Sequence, residues 1–184
     1  MKWRSILAIS AIFALGFALL PGDVSAQQKS LKEQIVGTWT VVSWDRLQGG
    51  NKYQEMGPNP KGTSVFDASG HFALIIMRPD LPKLAASSRQ KATPEEAQAV
   101  IRGSIAYFGT YTVDEGSKTL NLHLEGSTFA NQLGVENKRQ ITTISADEIS
   151  FRNPQSVGGG QVEQSGNARS RSGQYAARAN EIIE

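Results

Sequence analysis

The sequence predicts an all-β protein, an antiparallel up-and-down barrel of about 8–9 strands with one helix inserted at about residues 93–108. From residue 35 onward, short segments of alternating apolar and polar residues are separated by turn sequences, which is typical of consecutive hairpins. Apolar residues repeat convincingly at helical spacing only in residues 93–108. The first strand contains Gly37-Thr38-Trp39, and we expect the indole of Trp39 to plug one end of a closed barrel.

The first 26 residues have the features of a signal peptide. Lys2 and Arg4 form a basic start, residues 5–20 form a nearly unbroken apolar run, and residues 24–26 (VSA) fit the small-x-small rule for cleavage. The apolar run is shorter than the roughly 18–20 residues that span a bilayer. We therefore expect cleavage after Ala26 and a periplasmic or secreted mature chain that has no stable membrane anchor.

Composition argues against several classes of function. Removal of residues 1–26 takes away two basic residues and one acidic residue, so the formal net charge falls from +2 to +1. A near-neutral chain without clustered Lys and Arg does not predict a nucleic-acid partner. The chain has no cysteine, which excludes disulfides, thiol catalysis and thiolate metal sites. The sequence indicates no cofactor.

The barrel is predicted to begin with one long strand at residues 35–44. In a strand, successive side chains point to opposite faces, so Trp39 and Val41 share one face and Trp44 lies on the other. The residues that follow at 48–51 (QGGN) form a strong turn signal. A short second strand is expected directly after this turn.

The segment after the second strand, residues 57–62 (GPNPKG), is predicted to be a stiff loop at the rim, because its prolines cannot donate hydrogen bonds. A hairpin then joins residues 63–67 to residues 71–78. The second strand of this hairpin is apolar on both faces, so its outer face requires a cover. The predicted cover is the helix at residues 93–108, which starts with a capping box of Thr93 and a glutamate three residues later.

Residues 109–153 return to a two-residue period. The leucines at positions 120, 122 and 124 alternate with Asn121, His123 and Glu125. A last hairpin joins residues 135–144 to residues 148–152, so the predicted barrel domain covers residues 27–153. Residues 154–184 are polar and are predicted to form a flexible tail, with a short strand near residues 161–164 as a possible element.

Six motifs occur in a recognisable order between residues 31 and 152. They are Gly37-Thr38-Trp39, the segments 57–62 (GPNPKG), 77–80 (MRPD), 106–111 (AYFGTY) and 123–131 (HLEGSTFAN), and Arg139. In these motifs the chain resembles the lipocalin-like domain family of bacteria and fungi, whose members form calycin-type barrels. The resemblance implies an interior cavity for a hydrophobic ligand and does not imply a defined activity. Members usually close with an apolar final strand, whereas the residues from Gln161 onward are polar here.

His123 and Glu125 are the candidates for chemistry. Residues i and i+2 on one strand face lie about 6–7 Å apart, close enough to share a substrate or a water molecule. If that face points into the barrel, Glu125 would orient His123 as an acid–base pair and Arg139 would bind a carboxylate head group. Alternation alone favours the leucines as the inward residues, whereas the family pattern keeps a His and a Glu that solvent exposure does not require. The sequence leaves both arrangements open.

Several other side chains are candidates for contacting a ligand, because they combine an apolar body with an adaptable or polar end. The complete predicted ligand-binding set is Met77, Arg78, Tyr107, Tyr111, His123, Glu125, Asn131 and Arg139. No metal site is predicted, because the chain has two histidines and His71 has no carboxylate at ligand spacing.

These observations support one leading hypothesis and two alternatives. The leading hypothesis is an exported binding protein that holds a small hydrophobic or amphipathic molecule inside the barrel and is not an enzyme. The first alternative is a small enzyme of the isomerase, cyclase or hydrolase type that uses His123 and Glu125. The second is a fully packed envelope or stress protein that binds partners through its tail.

Overall fold

The computed structural model of the protein describes residues 29–154 and 161–170, with side chains described as far as residue 166. The predicted signal peptide lies outside the described residues. In chain order the elements are α1 (Leu31–Ile35), β1 (Gly37–Gln48), β2 (Asn51–Gln54), β3 (Lys61–Phe66), β4 (His71–Met77), a 3-10 turn (Arg89–Lys91), α2 (Pro94–Gly103), β5 (Ser104–Asp114), β6 (Thr119–Ser127), a second 3-10 turn (Ala130–Gln132), β7 (Asn137–Ile144), β8 (Glu148–Asn153) and β9 (Gln161–Ser170). Within these ranges, no helix has the length and apolar character that crossing a membrane requires.

All of these strands except β2 close into an antiparallel barrel. The order around the ring is β1-β3-β4-β5-β6-β7-β8-β9, and β9 pairs with β1 to complete it. Strand β2 forms a hairpin with the second half of β1. Closure pairs the backbone of each ring strand on both sides and removes the exposed edges. The predicted all-β, up-and-down antiparallel barrel is confirmed.

Strand β9 corrects the predicted domain boundary at residue 153. Its backbone pairs with β8 on one side and with β1 on the other, from Gln161 opposite Leu47 onward. A strand that is paired on both sides satisfies its backbone polar groups whatever its side chains are, which explains why a polar sequence closes this barrel. The other parts of the predicted tail, residues 155–160 and 171–184, lie outside the described residues.

Trp39 closes one end of the barrel. Its side chain is 1% exposed, and its Nε1–H donates a hydrogen bond to the Ile35 carbonyl oxygen at 2.8 Å. Helix α1 is held there by Glu115 in the β5–β6 turn, whose carboxylate accepts hydrogen bonds from the backbone N–H groups of Leu31 and Lys32 at 2.8 and 3.0 Å. The indole is therefore tied to a helix that is itself anchored to the barrel.

Trp44 is buried on the same side as Trp39, although simple alternation predicts opposite faces. The pairing of β1 with β9 shifts register between Val41 and Ser43. A bulge of this kind adds one residue to the strand and reverses the alternation beyond it. Trp44 consequently points into the barrel, where it contributes to the site described below.

Helix α2 begins as predicted and ends earlier. Thr93 Oγ1 accepts a hydrogen bond from the Glu96 N–H at 3.2 Å, and the Glu96 carboxylate accepts one from the Thr93 N–H at 2.9 Å. The helix ends at Gly103 rather than near residue 108. Residues 104–108 start β5, where Ser104 lies opposite Met77. Pairing with β4 thus outweighs the helical spacing of the apolar residues in this segment.

The predicted packing of the helix on the outer face of β4 is wrong. Ile75 and Met77 of β4 are 47% and 37% exposed, and Phe108 of β5 is 54% exposed. Ile101 of α2 is itself 76% exposed. The helix borders the open end of the barrel instead, because its short connection to β5 places it beyond the end of the β4–β5 pair.

Candidate functional site

A cavity of about 800 Å³ opens to solvent at the end of the barrel where β4 ends and β5 begins. Its lining comes from the second half of β1, helix α2, the start of β5, the segment after β6 and the start of β9. The apolar side chains in this lining are Trp44, Met56, Val100, Ile101, Ile105, Phe129 and Val162. Barrel closure therefore brings together residues that are far apart in the sequence.

The other half of the barrel interior is packed with aromatic rings. The ring centroid of Phe66 lies 6.0 Å from that of Phe72, 5.2 Å from that of Tyr111 and 6.2 Å from that of Phe151. A void of about 10 Å³ lies among these side chains, which is about the space of one water molecule. Within the described part of the barrel interior, a ligand larger than water therefore fits in the open half and not in the packed half.

The charged side chains around the cavity are mostly arginines. Among the described residues, the arginines in the lining are Arg46, Arg78, Arg89, Arg102 and Arg139, and the one carboxylate in it is Glu55. Glu55 accepts hydrogen bonds from Arg46 Nη2 at 2.8 Å and from the Trp44 indole at 3.2 Å. Because this carboxylate is engaged within the wall, the cavity lining keeps an excess of positive charge, which attracts anions.

Arg78 stands at the mouth of the cavity, directly after β4. Its Nε and Nη2 donate to the two carboxylate oxygens of Asp80, each at 2.9 Å. The guanidinium group lowers the pKa of the Asp80 carboxyl through these hydrogen bonds. The charge of Arg78 is therefore balanced by a neighbouring side chain at the mouth.

Arg139 lies at the floor of the cavity. It is an inward residue of β7, between the buried residues Asn137 and Ile141. Its side chain borders both the open cavity and the water-sized void below it. The residue is 6% exposed, and its Nη1 donates a hydrogen bond to the Lys138 carbonyl oxygen at 3.0 Å. Among the carboxylates of the described residues, none forms an ion pair with Arg139.

Two predicted ligand contacts, Tyr107 and Tyr111, lie in the packed half of the barrel. Tyr107 is buried beside the small void, with its ring centroid 6.0 Å from that of Phe72. The Tyr111 hydroxyl donates to the Asp67 carbonyl oxygen at 2.6 Å, and burial, followed by the charge of Asp67, raises the pKa of this phenol. Both tyrosines stabilise the core, and neither lines the open cavity.

His123 and Glu125 lie on the outer face of β6. Both are exposed, while Leu122 and Leu124 are buried in the interior. The inward arrangement that the enzyme hypothesis requires is therefore wrong, because the hydrophobic effect places the apolar face of this strand inside. The structure offers no support for an acid–base pair within the barrel.

The two remaining members of the predicted set also lie away from the cavity lining. Met77 is at the exposed end of β4 and faces outward, one position before Arg78. Asn131 is exposed in the 3-10 turn after β6. Of the predicted ligand-binding residues, the structure brings Arg78 and Arg139 to the cavity.

Sequence reasoning missed several residues of the wall, namely Trp44, Arg46, Glu55 and Met56. The bulge in β1 hides the inward position of Trp44, since it reverses the alternation that sequence reasoning relies on. The pairing of Arg46 with Glu55 depends on the β1–β2 hairpin, which places two residues nine positions apart next to each other. The turn at residues 48–51 was the available signal for this contact.

No metal site emerges in the part of the chain that the structure describes: it contains no group of three or more His, Cys, Asp or Glu side chains that could hold an ion. His71 lies in the exposed β3–β4 turn, with its Nδ1 2.8 Å from Ser69 Oγ and 3.5 Å from an Asp67 carboxylate oxygen. These contacts stabilise the turn. His71 does not line the cavity.

The chain matches the family model described as a lipocalin-like domain over residues 36–174. One solved structure that it resembles is the crystal structure of a lipocalin-like protein from Bacteroides uniformis ATCC 8492, with 12% identity, a TM-score of 0.41 and coverage of 73% of this chain and 97% of that chain. A comparison with curated proteins finds no match.

Proposed function

Because the chain belongs to the lipocalin-like domain family, we propose that it is an exported barrel that binds a small hydrophobic or amphipathic molecule in the cavity at its open end. The observation that carries this proposal is the cavity itself. Its volume of about 800 Å³ falls within the roughly 300–1,000 Å³ of small-molecule sites. Its lining also has the composition of such sites, with apolar side chains around a few polar groups.

The packed half of the barrel supports a small ligand rather than a long one. The aromatic rings of Phe66, Phe72, Tyr111 and Phe151 fill the interior below the floor. Close-packed protein interiors resist the insertion of further atoms. A bound molecule would therefore occupy the open half and keep one end close to the mouth.

Export is the second part of the proposal, and it rests on residues 1–26. The basic start, the apolar run and the VSA sequence are the three regions of a signal peptide. Intact-mass measurement of the protein recovered from its host is expected to give a chain that starts at Gln27. A mass that includes residues 1–26 would contradict export with cleavage.

Binding is tested with the uncharged fluorescent probe N-phenyl-1-naphthylamine. The variant Ile105→Trp is expected to weaken probe binding at least about tenfold, because the larger ring fills part of the cavity that Ile105 lines. The matched control is Ile144→Trp, since both isoleucines are partly buried against the core and Ile144 does not line the cavity.

The probe is expected to bind the unchanged protein and Ile144→Trp with similar affinity. Absence of probe binding to the unchanged protein would contradict the proposal. Equal weakening in both variants would show that the probe reports general loss of packing rather than occupancy of the cavity, and this outcome would contradict it as well.

A further inference from the structure

We propose that the ligand is a monocarboxylate with an apolar body, bound with its carboxylate against Arg139 and its apolar part directed toward the mouth. This inference rests on the proposed function and names the class of molecule that the cavity selects. It follows from the contrast between the partners of Arg139 and those of the other cationic groups around the cavity.

Burial of Arg139 carries a cost that the described residues do not balance. A guanidinium group remains charged and has five N–H donors. At 6% exposure, its described partner is a single backbone carbonyl oxygen, and no described carboxylate pairs with it. Buried charges in proteins are normally paired and hydrogen-bonded. A bound anion would supply both the missing charge and the missing acceptors.

The position of Arg139 determines how the anion would be oriented. Its side chain reaches both the cavity and the void of about 10 Å³ beneath it. The void has room for about one water molecule, so a ligand entering from the mouth stops at the guanidinium group. The wall above Arg139 is formed in part by Trp44, Met56 and Ile105, which suit the apolar part of the ligand.

The other arginines are poorer sites for the head group. Arg46 is already paired with Glu55 at 2.8 Å, and Arg78 is paired with Asp80 at 2.9 Å. Arg89 and Arg102 are exposed at the rim, where solvent screening weakens a contact with an anion. These rim charges increase the local concentration of anions, while the buried group is the one that would hold the carboxylate.

The number of charges at the floor indicates a singly charged head group. One buried guanidinium can match a carboxylate with two parallel N–H···O bonds. A phosphate monoester carries about −1.5 to −2 charges near neutral pH and would bring uncompensated charge into the same space. A monocarboxylate therefore fits the charge at the floor better than a phosphate monoester does.

The test compares two ligands that differ only in the head group, decanoate and decan-1-ol, as competitors of N-phenyl-1-naphthylamine at pH 7.5. A hydrogen-bonded charge contributes roughly 1.5–3 kcal/mol, which corresponds to a factor of about 10 to 150. In the unchanged protein, decanoate is expected to displace the probe at a concentration at least about tenfold lower than decan-1-ol. Arg139→Met is expected to remove this preference by weakening the binding of decanoate relative to decan-1-ol.

The matched control is Arg152→Met. Arg152 is exposed on β8, is paired with Glu163 at 2.9 Å and does not line the cavity. This variant is expected to keep the full preference for decanoate. Arg139→Lys is expected to keep part of the preference for decanoate, because lysine preserves the positive charge but not the bidentate geometry.

The outcomes separate this inference from the proposed function. If both competitors displace the probe equally from the unchanged protein, the inference is overturned and the proposed function stands. If the probe does not bind at all, the proposed function fails and the inference fails with it. If Arg139→Met does not fold, the unchanged protein is compared with Arg139→Lys instead. The inference is then overturned if the ratio of the displacing concentrations of decan-1-ol and decanoate is the same in both proteins.

Discussion

Replacement of Arg139 by methionine is expected to make the ligand-free protein more stable, although the substitution removes a side chain from the barrel interior. Methionine has a similar length and fills irregular space without a charge. The variant therefore keeps most of the packing at the floor of the cavity and abolishes the burial of a guanidinium group that is 6% exposed.

The expected gain is the difference between two effects. Burial of an ion costs several kcal/mol after relaxation, and this cost is reduced here because Arg139 borders a cavity that is open to solvent. Loss of the hydrogen bond to the Lys138 carbonyl oxygen, at 3.0 Å, removes about 1 kcal/mol of stabilisation. The free energy of unfolding is therefore expected to rise by about 1–3 kcal/mol, and Tm by about 2–4 °C for each kcal/mol.

The measurement is urea unfolding of both proteins after removal of bound ligand by refolding from denaturant. Arg152→Met serves as the control and is expected to change the free energy of unfolding by less than about 1 kcal/mol, because exposed ion pairs contribute little. A loss of more than about 1 kcal/mol in the free energy of unfolding of Arg139→Met would contradict this prediction. It would mean that the fold itself satisfies the guanidinium group, and that Arg139 is a structural residue.

The remaining predictions concern the barrel wall and the turns. Gly109→Ala is expected to lower the free energy of unfolding by about 1–3 kcal/mol, because a Cβ at this position would overlap a backbone carbonyl oxygen of β6. The control is Gly116→Ala, where the atom nearest to an added Cβ lies at 3.5 Å. In urea unfolding, this control is expected to stay close to the unchanged protein. The pKa of Asp67 is lowered by the backbone amide of His71 and then by the Ser69 hydroxyl, so its stabilisation is present above about pH 4 and is lost as pH falls through the folded-state pKa. Urea midpoints measured between pH 7 and pH 3 are expected to fall less in Asp67→Asn than in the unchanged protein, and an identical fall in both would contradict this assignment.

The sequence predicted those features of the fold that depend on neighbouring residues. The capping box of Thr93 and Glu96 forms as predicted, because its hydrogen bonds join residues three positions apart. Alternation in β6 correctly identified Leu122 and Leu124 as one face. Trp39 is buried, as expected from the Gly-Thr-Trp sequence at the start of the first strand.

Prediction was poorer for the candidate site, because the site depends on contacts between distant strands. Of the candidate ligand-binding residues, Arg78 and Arg139 line the cavity, whereas His123 and Glu125 lie outside the barrel. The family motif favoured an inward position for His123 and Glu125, whereas alternation favoured the leucines as the inward residues. The burial of the leucine face decided that point.

Motifs and periodicities of a few residues were enough to predict the family, the barrel and the position where the helix begins. Only the tertiary structure decided that β9 closes the ring, that a bulge turns Trp44 inward, and that Arg139 lies at the floor of an open cavity. The physical reason is the same in each case. Strand closure and burial are set by backbone pairing across the whole chain, and local patterns of residues do not specify which distant strands will pair.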